Sequence, residues 1–134
     1  MANCAVVNSI TTYYHNGTTW TGLVPGATVP VGTGVYQLKA VFNIKCNNPC
    51  QGCTCNVCCG IAVSVGSNSL WTKQMFNAMC GGQTTDFSVF YNIPSSMRIP
   101  GNLLKIESYY CFATDCNSCG QGANNGAESY SLQM

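Results

Sequence analysis

Apolar and polar side chains alternate along much of this chain, and a period of two residues is typical of a β-strand with one buried face. The clearest stretch is 35–46, which follows a turn cluster at 32–34. Its polar positions, among them Lys39 and Asn43, fall on one face. The other face comprises Tyr36, Leu38, Ala40, Phe42, Ile44 and Cys46. This pattern predicts a half-buried antiparallel strand.

The same alternation predicts seven further strands, which brings the total to about eight. They are 6–14, 18–24, 27–31, 59–65, 87–93, 103–114 and 128–133. The segment 70–79 fits two patterns. Its large apolar residues share one helical face, but Leu70 and Phe76 also fall on one face of a strand together with Thr72 and Gln74. We expect this segment to be either a strand or a short helix.

Short strands separated by turns, without helical crossovers, favour an all-β fold. We predict an antiparallel two-sheet sandwich, either jelly-roll or immunoglobulin-like. The 134 residues suffice for one domain and are too few to suggest two. We therefore expect a single disulfide-rich domain over 1–134, in which residues 1–8 form a short N-terminal connector arm.

Charged residues are scarce. They make up 7% of the chain, whereas roughly 25% is typical, and apolar residues make up 46%. The formal net charge is +1 and there is no basic run, which argues against a nucleic-acid partner. No segment approaches the roughly 18–20 unbroken apolar residues of a membrane helix, so no membrane insertion is expected. A surface with so little charge must consist of small polar residues or be covered by neighbouring molecules.

Eleven cysteines indicate a covalent framework formed under oxidising conditions. Because eleven is odd, at least one thiol stays free, binds something or pairs with another molecule. The start, Met1-Ala2-Asn3-Cys4, lacks the basic and hydrophobic regions of a secretory signal. Either a signal was removed and Met1 was added for expression, or the chain oxidises after leaving a cell by another route.

Six of the cysteines fall within 46–59, the connection between two predicted strands. A bridge between Cys46 and Cys59 would close a loop of about 14 residues and stabilise the fold by roughly 3 kcal/mol. Adjacent Cys58 and Cys59 point to opposite faces and cannot both serve one partner. Three more cysteines lie near the end of the strand 103–114 or just after it. The candidates for structural disulfides are Cys46, Cys50, Cys53, Cys55, Cys58, Cys59, Cys111, Cys116 and Cys119.

A metal site is the alternative use of these thiols. Pairs separated by two residues have the spacing with which thiolates bind zinc. The pairs are Cys50-x2-Cys53, Cys55-x2-Cys58 and Cys116-x2-Cys119. We favour disulfides, because a cysteine-dense chain in an oxidising environment is more often cross-linked. No bound metal and no cofactor are predicted.

Cys4 and Cys80 stand apart from both clusters. Cys4 precedes the first predicted strand, on an arm that could reach a neighbouring subunit. The odd cysteine count favours a link between chains, so both residues are candidates for inter-subunit disulfides. Pairing of Cys4 within its own chain is the alternative.

Catalytic groups are sparse. The only histidine, His15, lies in a turn signature, and the carboxylates of Asp86, Glu107, Asp115 and Glu128 are on four separate segments. No nucleophile motif, phosphate loop or paired acid and base is present, so we expect no enzyme.

Several aromatic residues admit two interpretations. On a β-sandwich surface they could stack on sugar rings, but they more often fill the core or an interface. These residues are Tyr13, Tyr14, Trp20, Tyr109 and Tyr130.

The leading functional hypothesis is a self-assembling structural subunit of an extracellular filament or surface layer, at a cell or spore surface. Low charge, an odd thiol near the N-terminus and the unpaired edges of a sandwich all support association with other copies of the chain. The alternatives are a secreted binding module or adhesin for a carbohydrate or protein ligand, and a thiolate metal-binding protein.

The Met1-Ala2-Asn3-Cys4 opening and the charge-poor all-β body resemble the fibre subunits of bacterial endospore appendages. The resemblance implies a jelly-roll domain whose N-terminal connector forms disulfides with earlier subunits of the fibre. It carries over to Cys4 alone as an inter-subunit thiol. In that family the closely spaced cysteines lie in the connector, whereas here they lie at 46–59.

Overall fold

Nine β-strands make up the regular structure of the protein in a computed structural model, which describes residues 4–134. Over this range there is no helix, and accordingly none long and apolar enough to cross a membrane. The strands are β1 (Ala5–His15), β2 (Trp20–Gly22), β3 (Thr28–Pro30), β4 (Gln37–Cys46), β5 (Thr54–Val65), β6 (Asn68–Met79), β7 (Thr84–Asn92), β8 (Leu103–Cys111) and β9 (Gly126–Gln133).

The strands form two sheets, with the orders β2-β1-β4-β7 and β3-β9-β8-β5-β6. All neighbouring strands are antiparallel except β3 and β9. The predicted all-β, disulfide-rich two-sheet fold is confirmed. β4 and β7 pair in one sheet, while β5 and β6, which lie between them in sequence, pair in the other. The choice between jelly-roll and immunoglobulin-like connectivity stays a prediction.

The core lies between the two sheets because each strand turns its apolar face inward. In β4 the alternation predicted from the sequence is complete: Leu38, Ala40, Phe42 and Ile44 are fully buried. Tyr36, which precedes β4, is exposed and is not part of that face. β5 is buried on both faces over most of its length, because it lies inside its sheet and is also covered from outside.

The ambiguous segment 70–79 is a strand. It lies within β6, which pairs with β5 from Val65↔Asn68 to Thr54↔Met79. Gly66 in the connecting turn has a φ of 57°, in the left-handed region that glycine adopts at little cost. The tight hairpin therefore holds this segment as a strand, although its sequence pattern is compatible with either a helix or a strand.

A second, smaller cluster lies on the outer face of the five-stranded sheet. The segment 112–125, between β8 and β9, covers this face. Tyr109 is fully buried there and faces Gly60 on the neighbouring strand. The other buried members of the cluster are Cys58, Ala62, Cys111 and Cys119.

Residues 5–8 do not form the predicted N-terminal arm but belong to the four-stranded sheet. β1 already begins at Ala5, whose partner is Cys46 on β4, and the pairing continues to His15 with one irregularity at Asn8. Backbone hydrogen bonding therefore incorporates this part of the arm into the sheet. Residues 1–3 of the predicted arm lie outside the described residues.

Candidate functional site

Two of the five disulfides join the two sheets at one end of the sandwich. Cys4 precedes β1 and bonds to Cys55 on β5, with 5.8 Å between the Cα atoms. Cys46 ends β4 and bonds to Cys80 just after β6, with 4.8 Å between the Cα atoms. These bonds hold opposite sheets together across the core, where the backbone hydrogen bonds of the strands cannot.

Two further disulfides fasten the segment 112–125 to the outer face of its sheet. Cys58 on β5 bonds to Cys116, and Cys111 at the end of β8 bonds to Cys119. Ordering a polar segment of this length costs considerable conformational entropy. The two disulfides reduce this cost because they restrict the segment in the unfolded chain as well. The fifth disulfide, Cys50–Cys53, lies within the connection between β4 and β5.

Cys4 and Cys80 do not form the predicted inter-subunit disulfides, because both are bonded within the chain. The β1–β4 register sets the start of β1 beside the end of β4, close to where β5 begins. This arrangement brings Cys4 to Cys55. The Cys80 backbone N–H donates to the Cys53 carbonyl (3.0 Å), which keeps Cys80 at the same end, beside Cys46.

The prediction that Cys59 forms a disulfide is wrong, because Cys59 is the unpaired cysteine of residues 4–134. Its neighbour Cys58 faces the outer cluster, whereas Cys59 faces the core between the sheets. The proposed partner Cys46 bonds to Cys80 instead. Burial raises the pKa of the Cys59 thiol to about 12. The thiol is therefore protonated and packed as a small apolar group.

The other eight predicted disulfide cysteines are all bonded: Cys46, Cys50, Cys53, Cys55, Cys58, Cys111, Cys116 and Cys119. Consequently the thiols of the three zinc-like pairs are not free to act as thiolate ligands. Over residues 4–134, no group of three or more His, Cys, Asp or Glu side chains is arranged to hold a metal ion.

β6 is one of the two edge strands of the five-stranded sheet and is twelve residues long, whereas β3 at the other edge has three residues. Its backbone is paired with β5 on one side only. An edge strand of this length presents unpaired N–H and C=O groups to another chain unless charges, prolines or bulges block it. β6 contains no proline, and its pairing with β5 is uninterrupted.

The only charged residue of β6 is Lys73. Its Nζ donates a hydrogen bond to the Cys119 carbonyl (2.8 Å), so the ammonium lies over the outer face of the sheet. It is thus directed away from the open edge. Large apolar side chains of the same strand, Leu70, Trp71 and Met79, are exposed. The sequence alone does not predict this edge, because the pattern at 70–79 fits both a helix and a strand.

The four-stranded sheet also has unpaired edges. β2 pairs with β1 only at Tyr13, Tyr14 and His15. Among the described strands, none pairs with residues 5–11 of β1 on the side away from β4. β7, on the opposite side of the same sheet, pairs only with β4, and β3 in the five-stranded sheet pairs only with β9. The open edges therefore differ in sequence, and β6 is the longest of them.

The predicted titratable residues lie apart from one another. The Asp86 carboxylate accepts a hydrogen bond from Asn43 Nδ2 (2.6 Å) on the outer face of the four-stranded sheet. The Glu107 carboxylate accepts one from the Gly122 N–H (3.1 Å) and therefore anchors the segment 112–125. Asp115 accepts one from the Asn117 N–H within a turn of that segment (2.9 Å).

The aromatic residues divide between surface and interior. Tyr109 and Tyr130 are buried, whereas Tyr13 and Trp20 are partly exposed on the four-stranded sheet. The Lys39 ammonium lies 5.0 Å from the Tyr13 ring centroid and 4.5 Å from that of Trp20. The ring of His15 packs edge-on against Trp20, with 4.8 Å between centroids.

No protein-family model matches this chain, and no curated protein matches it significantly. The physical features of the molecule must therefore indicate its function. The most informative are the five disulfides and the open edge of β6. The disulfides indicate an oxidising environment, since such bonds do not persist in a reducing one.

Proposed function

We propose that the protein is a self-assembling structural subunit of an extracellular filament or surface layer, in which copies associate through the open edge of β6. The observation that carries the proposal is that this twelve-residue edge has no charge directed along it. A second copy could add a strand there and satisfy the unpaired backbone groups.

The unpaired edge of β1 supports an assembly that continues. Pairing of β6 with β1 of the next copy would be heterologous, because the two edges belong to different sheets. Heterologous contacts that do not close into a ring produce a helical filament. Pairing of β6 with itself would instead stop at a twofold dimer.

Low charge also favours association. With a formal net charge of +1 and only 7% charged residues, copies of the chain repel one another weakly. Leu70 and Met79, which are exposed on β6, add surface that a neighbour would remove from water. The resemblance to endospore-appendage fibre subunits supports the same function and a location at a cell or spore surface.

The disulfides contribute durability to such a material. Five of them within 134 residues constrain the unfolded chain and keep each subunit folded outside the cell. In the proposed assembly, an inter-subunit disulfide forms only by exchange with one of these bonds, since Cys59 is buried. Association through the edge requires no such exchange.

The test is to measure assembly with and without a charge on the edge. We expect the purified oxidised protein to form filaments or large oligomers in sedimentation velocity and negative-stain electron microscopy. Gln74→Lys places a charge on an exposed position in the middle of β6 and should abolish them. Asn117→Lys adds the same charge to the exposed segment 112–125 and should leave assembly unchanged.

A monodisperse monomer at high concentration under oxidising conditions would contradict the proposal. Assembly that persists in Gln74→Lys would show that another surface is used. Electrophoresis without reductant then separates the covalent from the non-covalent case, because exchange between subunits yields covalent dimers and larger species.

A further inference from the structure

A groove of about 320 Å³ lies on the outer face of the five-stranded sheet, between β6 and the segment 112–125. Buried Ala62 lies at its base. Trp71 belongs to β6 and Gln121 to the covering segment, so the two side chains come from opposite sides of the groove. The remaining lining residues are Ser69, Lys73, Cys119 and Gly120.

The wall formed by the segment 112–125 is held in place before any ligand arrives. The disulfides of Cys116 and Cys119 attach it to β5 and β8. Ser69 Oγ donates to Gln121 Oε1 (2.9 Å), which links this segment to β6 across the groove. Lys73 Nζ donates to the Cys119 carbonyl (2.8 Å) beside this link. Pre-organisation of this kind lowers the entropic cost of binding.

Trp71 is the one aromatic residue that lines the groove, and 58% of its surface is accessible. An indole ring offers a flat apolar face, and the neighbouring groups offer both donors and acceptors. Lys73 is the only charged side chain of the lining, and a backbone carbonyl already accepts from it. The groove therefore combines one aromatic platform with mostly neutral polar groups, a combination typical of small-molecule sites.

We propose that this groove binds a saccharide, with one face of a pyranose ring stacked on the indole of Trp71. Sugar rings have an apolar face of C–H groups and a periphery of hydroxyls, which matches an aromatic platform flanked by hydroxyl, amide and ammonium groups. The hydroxyls would exchange hydrogen bonds with Ser69, Lys73 and Gln121. The site is independent of assembly, because it uses the outer side-chain face of β6 rather than its backbone edge.

The two tryptophans of the chain allow a direct test. Trp20→Phe leaves Trp71 as the only indole, so its fluorescence reports on the groove. We would screen the wild-type protein on a glycan array of neutral and acidic sugars and titrate the retained glycans into Trp20→Phe. We expect a change in emission and protection from acrylamide quenching.

Three variants assign the binding to the groove. Trp71→Ala should weaken the affinity at least about tenfold, and Gln121→Ala should weaken it as well. Phe90→Ala is the matched control, since Phe90 is 52% exposed but lies on β7, in the other sheet. It should bind as the wild type does.

The proposal is wrong if no glycan is retained above the level of Trp71→Ala, or if the affinity of Trp71→Ala stays within twofold of the wild type. A loss of filaments in Trp71→Ala without any glycan binding by the wild type would likewise overturn it, because Trp71 would then contact a second copy. Loss of assembly in Gln74→Lys with glycan binding intact would support both proposals, since the groove would then bind without the edge. Assembly that persists in Gln74→Lys would contradict only the assembly proposal.

Discussion

Cys58 and Cys59 are adjacent in β5, yet their side chains leave opposite faces of the sheet, and only Cys58 is bonded. Cys58 lies in the outer cluster and reaches Cys116, whereas Cys59 lies in the core between the sheets. The unpaired thiol that the odd cysteine count requires is thus inside the molecule. The consequence is that the free thiol contributes packing rather than a link between chains.

Alkylation should report this burial. With a pKa of about 12, only about one Cys59 thiol in ten thousand is ionised at pH 8. We expect the native protein to resist iodoacetamide and the urea-unfolded protein to take up one label per chain without reductant. Peptide mass spectrometry should place that label on Cys59. Rapid labelling of another cysteine in the native state would contradict the disulfide pattern.

The same pKa predicts a loss of stability at alkaline pH. Below pH 9.0, the ordinary pKa of the thiol, Cys59 is protonated in both the folded and the unfolded chain. Above it the unfolded chain loses the proton while the folded one retains it until about pH 12. The free energy of unfolding should therefore fall by up to about 1.4 kcal/mol per pH unit. Urea titrations between pH 8 and pH 10 should show a shallower dependence for Cys59→Ala.

Removal of a disulfide should cost more when its loop is longer. Replacing Cys46 and Cys80 by alanine opens a bond with a sequence separation of 34 and should destabilise the fold by about 4 kcal/mol. The same change at Cys50 and Cys53, separated by 3, should cost about 1.5 kcal/mol. Thermal unfolding of the two double variants provides the comparison. Equal losses would show that chain entropy does not determine these contributions.

Gly60 should not tolerate a side chain. A Cβ atom there would lie 2.5 Å from Cζ and Oη of Tyr109, whose ring is buried under the segment 112–125. Gly60→Ala should destabilise the protein by about 1–3 kcal/mol because the ring must shift. Gly34→Ala is the control, since a Cβ atom there meets nothing within 4 Å. Chemical denaturation should show a lower midpoint for Gly60→Ala alone.

A buried hydrogen bond connects the two sheets. The hydroxyls of Thr12 on β1 and Ser108 on β8 lie 2.8 Å apart and are both fully buried. Thr12→Val leaves the Ser108 hydroxyl without this partner and should cost about 1–3 kcal/mol. The double variant Thr12→Val/Ser108→Ala should lose less than the sum of the single variants, as measured by urea unfolding. Strict additivity would contradict the coupling.

The alternation of side chains was sufficient to predict most of the strands, because the period of a strand is a local property of the backbone. The face of β4 from Leu38 to Ile44 is the clearest case. The same locality explains the ambiguity at 70–79, where the large apolar residues share a helical face but Leu70 and Phe76 also share a strand face. Pairing with β5 through the turn at Gly66 decided between them.

The sequence by itself determined that this protein is a charge-poor, all-β domain with a covalent framework and an odd number of thiols. Composition and side-chain periodicity are local properties of the chain and do not depend on contacts between distant residues. Only the tertiary structure decided which cysteines bond and which strand edges stay open. A disulfide requires two Cα atoms within about 7 Å, and that proximity depends on sheet order and register. The sequence makes Cys4 a candidate for a disulfide with another subunit, but the pairing of β1 with β4 holds its Cα atom 5.8 Å from that of Cys55.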